Sequence, residues 1–469
     1  MEGGQLRAGA GARPLRTRAA ENKELIFLSS SSAGLSELGT ASKQSLVPAS
    51  GLIVFSYATG GMSADIFQLY VTQTLGYSSS LITIVALAMI ASIPLQFLAP
   101  RIIDRIGHRW MMIVGAALFL PALLLMFVAG QVVPISRTGG AVCVVTGATL
   151  AEIAISISFG AAWGAWAAEF TETRTRPLYI SISGFASQGT AMIAFIVQTT
   201  MFGGKVTETF YRIVLIYCVL YTIASTLVFR RLPDPCVGPR TRESGPRVGW
   251  RDIAAERDYR VILLAQAVQF QIGVPLLAVY ATTVLRVPST VVGVVLTLRV
   301  GASLLCLPIA GRLISVVGAN RALVVVGSGL CAEMILWTFL PRIGTTIPAI
   351  VLFSLLVVVF QISKSAFAIA TKTIELDTLL PEHRVRTFTL VDIVSSSAMQ
   401  INIALGGLLV AAANSFVWVD SSFIRLDAVK ITTAIGAGVV IYIVVEYRRM
   451  ARADGTGVER EMESVETND

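Results

Sequence analysis

Residues 100–109 read Pro-Arg-Ile-Ile-Asp104-Arg105-Ile-Gly107-His108-Arg109, and residues 311–321 read Gly-Arg-Leu-Ile-Ser315-Val-Val-Gly318-Ala-Asn-Arg321. Each stretch joins two long apolar runs, and the glycines Gly107 and Gly318 stand 211 positions apart. A second match falls at nearly the same interval. Glu172-Thr-Arg174-Thr-Arg176 and Glu382-His-Arg384-Val-Arg386 share the pattern E-x-R-x-R at a spacing of 210. Two independent loop matches at nearly one interval mark an internal duplication. Membrane transport folds are commonly built this way, with the substrate site where the repeats meet.

The flanking runs are long enough to cross a bilayer, which takes about 20 mostly apolar residues. Twelve such runs are expected, near 50–72, 78–99, 110–133, 141–168, 178–203, 211–230, 260–285, 288–310, 321–341, 346–371, 388–413 and 428–447. They are continuously apolar and lack the alternation of a transmembrane barrel strand. The expected architecture is all-α and integral to the membrane, with twelve helices in two parallel six-helix repeats. The repeats occupy 47–230 and 260–449. A cytoplasmic linker at 231–259 joins them, and tails at 1–46 and 450–469 flank them.

Composition excludes the alternatives. Of the 469 residues, 54% are hydrophobic and 14% charged, with a mean hydropathy of +0.73. Globular domains average about 25% charged. So little polar surface cannot cover a soluble body, which removes soluble enzymes, secreted disulfide modules and nucleic-acid-binding domains. The net charge of +8 is explained by where the basic residues lie. With both termini placed in the cytoplasm, 28 Lys and Arg fall on that side and seven on the other. That is the positive-inside pattern of a multi-pass protein of the plasma (inner) membrane.

Five cysteines form no C-x-x-C pair, and the only histidines are His108 and His383. No metal site and no cofactor are expected. Neither a phosphate-cradling Gly-rich loop nor a nucleophile–histidine arrangement is present, so neither an ATP-driven pump nor an enzyme is expected. Transport would then draw on an ion gradient or on the substrate's own.

The chain resembles the major facilitator superfamily. The resemblance covers about 50–447 and rests on the loop signature Gly-x-x-x-Asp-Arg-x-Gly-Arg-Arg. Here the core Asp104-Arg105-x-Gly107-x-Arg109 is kept, while Pro100 replaces the leading Gly and His108 one Arg. In the second copy Gly311 is kept and Ser315 replaces the Asp. Glycine at 107 permits a tight turn. Asp104 can accept charge-assisted hydrogen bonds from Arg174 or Arg176. The resemblance implies a conformational latch on the cytoplasmic side, made by Asp104, Arg105, Gly107, Arg109, Arg174 and Arg176. The competing reading is that these arginines only anchor the topology.

Charges inside the spans are costly, at least about 2.5–3.5 kcal/mol each, and are functional candidates. Five stand out: Asp65, Glu152, Arg299, Glu333 and Lys364. In the superfamily, spans one, four, seven and ten line the cavity. That implies proton coupling at Glu152 or Asp65. Arg299 and Lys364, on the other repeat, either pair with these acids or bind an anionic substrate group. Gln266 and Gln269 share a helical face of span seven and suit hydrogen bonding to a polar ligand, or helix packing equally well. Glu333 reads as a local packing contact. Asp392 reads as a less costly charge near the start of span eleven, and Gln400 and Asn402 as weaker candidates. Trp163 and Trp166 read as interfacial anchors.

The expected function is secondary transport of a small organic molecule by alternating access, as a monomer. Proton-coupled efflux of a drug-like compound or metabolite is favoured by the superfamily's base rate. Symport of an organic anion is the alternative motivated by Arg299 and Lys364, and a non-transporting sensor or scaffold is a third. Span five lacks the Gly-Pro motif frequent among drug–proton antiporters, which weakens the efflux expectation.

Overall fold

The computed structural model describes residues 64–163, 166, 176–232, 260, 262–265, 276–340, 347–378, 384–412, 417–420 and 425–466. The first half contains α1 (Ala64–Leu69, running on as a π-helical turn Tyr70–Thr74), α2 (Ser79–Gln96), α3 (Ala99–Ile106) and α4 (His108–Val132). It continues with α5 (Arg137–Ile155, running on as a π-helical segment Ser156–Trp163), α6 (Arg176–Phe202) and α7 (Glu208–Phe229). The second half contains α8 (Leu277–Thr283), α9 (Ser289–Val317), α10 (Ala319–Thr338), α11 (Ile347–Thr378), α12 (Arg384–Ala412) and α13 (Ala428–Glu466). Between α12 and α13 lies an antiparallel pair, β1 (Val417–Asp420) and β2 (Arg425–Asp427), which the all-α expectation did not include.

Nine of these helices are long and apolar enough, among the described residues, to cross a membrane. The 27-residue α6 has the length, with Ser, Thr and Gln interspersed. α1 and α8 are the described parts of the first and seventh expected spans. The spans are apolar on both faces. α2 buries Val85 and Ala86 while Ile84 and Leu87 stay more than half exposed. A helix hydrophobic all round belongs in lipid.

Three helices that start at one end of the bundle, α5, α7 and α13, are capped by side chains. Ser136 accepts from the Gly139 amide at 3.1 Å, and Thr207 from the Phe210 amide at 3.2 Å. Asp427 accepts from the amides of Val429 and Lys430 at 3.1 and 3.2 Å. Each satisfies donors that a helix start leaves open. At the other end, α3 stops at Gly107 (φ 86°, ψ 163°) and α9 at Gly318 (φ 90°, ψ 142°). Both glycines adopt the left-handed conformation that side chains avoid, and both start the next helix within one residue.

The duplication extends to a segment that sequence comparison passed over. Tyr70-Val-Thr72-Gln-Thr-Leu75 and Tyr280-Ala-Thr282-Thr-Val-Leu285 lie 210 apart. The Leu75 and Leu285 amides donate to the carbonyls of Tyr70 and Tyr280 at 3.0 and 3.1 Å. The Thr72 and Thr282 hydroxyls donate to the carbonyls of Gln68 and Ala278 at 2.8 and 2.9 Å. Gly76 (φ 66°) and Arg286 (φ 56°) then make the same left-handed step into the next helix.

Two antiparallel helix pairs bridge the segments before and after 233–259. α6 packs on α9 in one register along its length, through Gly184 with Leu307, Gly189 with Leu304, Met192 with Gly301 and Thr199 with Gly293. That register runs for about 30 Å at 1.5 Å per residue. It ends where Gly204 lies against the Ser289 backbone. α2 packs on α12, where the Thr83 hydroxyl donates to the Ala404 carbonyl at 3.2 Å and Gly407 faces Ser79 and Thr83. Small residues let helices approach closely where lipid offers no hydrophobic drive.

Candidate functional site

Apart from Glu333, the charged residues singled out in the spans gather into two layers between these helices. In the first, Arg299 of α9 donates from Nη2 to Asp65 Oδ2 of α1, with both side chains mostly buried. Arg299 Nε is buried with no acceptor. Lys364 of α11 stands close enough to feel the charges of both residues. It is half-buried, and no hydrogen bond or ion pair joins it to a described residue. The layer thus holds two cations and one anion among its described residues. Hydroxyls extend it: Ser303 and Ser365 lie 2.7 Å apart, and Gln361 Nε2 donates to Ser365 Oγ at 3.3 Å.

The second layer lies further along α5. Glu152 is buried, with Gln400 and Ser396 of α12 in hydrogen-bonding reach of its carboxylate. Asp392, one and two turns before them on α12, has Ser156 within hydrogen-bonding reach. Ser156 in turn accepts from Gln96 Nε2 of α2 at 2.9 Å. Lys372 and Glu375 of α11 form an ion pair at 2.8 Å and act electrostatically on Asp392. Three acids and one base make this layer negative. Both α1 and α5 become π-helical just past their acidic residue, and such widened turns often mark functional sites in helices.

Several expectations change here. Asp65 is occupied by Arg299, so of the two acids it is the one bound in an ion pair. Asp392 is part of the interface and not a marginal charge at a helix start. It was missed because Asp at that distance from a span end reads as solvated. Ser156, Ser396 and Gln96 carried no sequence signal of their own. Glu333 accepts from Ser363 at 2.8 Å, a local contact between α10 and α11. Trp163 and Trp166 are buried, packed with Ala99, Ile103, Met111, Met112, Phe229 and Leu232. An interfacial anchor would be exposed at one edge. Here the indoles fill the space between α3, α4 and the end of α7.

Of the expected latch, Gly107 makes the tight turn, Arg105 is exposed, and Arg109 lies over the Trp110 ring at 5.9 Å. The side chains of Asp104 and Arg176, and all of Arg174, lie outside the described residues, as do Gln266 and Gln269. Among the described residues no group of three or more His, Cys, Asp or Glu could hold a metal ion.

A family model for the Major Facilitator Superfamily matches residues 49–281. No curated protein matches the chain by sequence. Solved structures share the fold. A bacterial homologue of the iron transporter ferroportin, in its outward-facing state, aligns at a TM-score of 0.66 and 13% identity, covering 87% of this chain and 99% of its own. The E. coli proton:xylose symporter XylE aligns at 0.66 and 14%, covering 86% and 94%. The human organic anion transporter MFSD10 aligns at 0.62 and 10%, covering 87% and 100%. The duplicated helices, the left-handed glycines that end α3 and α9, the charges buried between the halves and the family model over 49–281 lead to one conclusion: the chain is a multi-pass membrane protein with the fold of the major facilitator superfamily transporters.

Proposed function

We propose that the chain is a secondary active transporter of a small organic anion, driven by protons moving in the same direction. The observation that carries this is the opposite sign of the two layers. Arg299 and Lys364 against Asp65 leave one positive charge unneutralised, and Lys364 has no partner of its own among the described residues. A carboxylate or similar anion neutralises it with charge-assisted hydrogen bonds. A cationic drug brought to about 4 Å from that ammonium meets about 4 kcal/mol of repulsion at an effective dielectric of 20. The geometry therefore favours the anion over the drug-like cation that the superfamily's base rate suggests.

In this reading the six-helix bundles at 47–230 and 260–449 rock about the layers and expose them to either side in turn. The protein works as a monomer in the plasma membrane with both termini in the cytoplasm. Substrate binds at Arg299, Lys364 and the Ser303–Ser365 pair, and Gln266 and Gln269 are proposed to bind it too. Glu152 takes up the proton. A proton and an anion each shift the balance of states only by binding one state better than the other. The latch at Asp104, Arg105, Gly107, Arg109, Arg174 and Arg176 holds the cytoplasmic side shut in one state.

The test is proton flux in proteoliposomes carrying a pH-sensitive dye, under an imposed pH gradient. A panel of small carboxylates and cationic drugs is added outside. Protons entering with a carboxylate support the proposal. Protons moving only against a cationic drug would replace it with antiport efflux.

A further inference from the structure

The negative layer is built from two crossed sets of the same composition. One set is Asp392 of α12 with Ser156 and Gln96 from the first half. The other is Glu152 of the first half with Ser396 and Gln400 from α12. Glu152 has a serine and a glutamine of the opposite half within reach, and Asp392 has a serine that itself accepts from a glutamine. Glu152 and Ser156 are four apart on one helix, and Asp392, Ser396 and Gln400 follow at intervals of four on another, so each row lies along one helical face.

Each set also contains a polar atom that nothing satisfies. Gln96 is 3% exposed and Gln400 1%, and the Oε1 of each is buried with no donor. A buried acceptor left unpaired costs about 1–3 kcal/mol. An ionised carboxylate cannot supply a donor, whereas a protonated one can. A proton on Glu152 gives Gln400 Oε1 a donor once that amide, which donates to the ionised carboxylate, turns over. A proton on Asp392 lets that carboxyl donate to Ser156 Oγ, which frees the serine hydroxyl for Gln96 once its amide turns over. The other charges on elements packed here are Lys372 and Glu375 of α11, paired with each other. α4 starts with His108 and Arg109, α3 carries the exposed Arg101 and Arg105, and α13, which packs on α12, carries Glu446 and Arg449, paired at 2.8 Å. One base, Lys372, thus stands against three acids, Glu152, Asp392 and Glu375.

We infer that this layer is a two-proton site, with Asp392 an equal partner of Glu152, and that the two protons hold the halves together at this level. It rests on the proton-coupled reading above. Each proton bonds to one carboxylate oxygen. It leaves to water that enters when the halves part, and two ionised carboxylates then face each other across the seam.

The experiment needs no substrate. The purified full-length chain in lipid nanodiscs is titrated by difference infrared spectroscopy in the protonated-carboxyl region, in potassium buffer. Wild type loses two carboxyl bands from this layer as pH rises. Glu152→Gln removes one, Asp392→Asn removes the other, and the double variant removes both. Gln96→Leu moves the midpoint of the Asp392 band and leaves the Glu152 band, and Gln400→Leu does the reverse. Each shift is about one pH unit, the scale of one buried hydrogen bond. If Asp392→Asn leaves both bands, the two-proton site is wrong and proton coupling at Glu152 survives. If Glu152→Gln also removes neither band, the proton-coupled reading falls with it. If the bands respond to sodium replacing potassium at fixed pH, the layer binds a metal cation and the inference is overturned.

Discussion

Arg299 and Asp65, 234 positions apart, close an ion pair between α9 and α1, and so tie the second half of the chain to the first. Both side chains are mostly buried, at 18% and 14% exposure. Removing one partner strands the other's charge, which costs about 3 kcal/mol for a pair this buried. Arg299→Ala is expected to lower the unfolding temperature in detergent sharply. Asp65→Asn with Arg299→Ala is expected to recover much of the loss. Strict additivity of the two changes, measured as a double-mutant cycle, would mean that the pair is not coupled.

Lys364 behaves oppositely. With no described partner to strand, Lys364→Gln removes an unneutralised half-buried charge and is expected to leave thermal stability unchanged or raise it. The same change is expected to weaken binding of a carboxylate substrate at least about tenfold, the worth of one charge-assisted hydrogen bond. Unfolding temperature with and without the active carboxylate reads both effects. A large fall in stability without substrate would show that Lys364 serves structure.

Adjacent glycines separate strain from close approach. Gly203 (φ 59°) and Gly204 (φ 78°) both take left-handed backbone, but only Gly204 meets a neighbour, with an added Cβ falling 2.5 Å from the Ser289 carbonyl oxygen. Gly203→Ala is expected to cost about 1 kcal/mol from conformation alone. Gly204→Ala adds a backbone clash and is expected to cost about 1–3 kcal/mol more. It also pries α6 from α9. Equal unfolding midpoints for the two variants would contradict the packing at this point.

The cap residues rank by what else they hold. Thr207→Ala removes one cap and is expected to cost about 1 kcal/mol. Asp427 accepts two backbone amides and the Tyr280 hydroxyl at 2.7 Å. Asp427→Ala also removes the acceptor of the Tyr280 hydroxyl and is expected to cost at least about twice as much. Chemical-denaturant midpoints of the two variants check the order.

Much of the fold was readable because lipid imposes long apolar runs and loops collect the charges. Gly107 and Gly318 announced their turns because glycine alone suits that backbone. The shared hydrogen bonds of 70–75 and 280–285 were hidden, since only Tyr, Thr and Leu repeat there. The site was half legible. Single charges in apolar runs pointed to Asp65, Glu152, Arg299 and Lys364, but not to who pairs with whom, because pairing depends on helix rotation and register. Asp392 looked solvated by its distance from a span end. Ser156, Ser396, Gln96 and Gln400 matter only through neighbours on distant helices. The tryptophans misled because indole suits both an interface and a packed core.

The central claim is that an anion and protons share this path. The most direct test is proton entry into proteoliposomes containing the wild-type chain, with a small carboxylate applied outside and membrane potential clamped. The account predicts carboxylate-dependent acidification inside that is lost in Glu152→Gln and in Lys364→Gln. Acidification that survives both substitutions, or alkalinisation driven by the carboxylate, would contradict it.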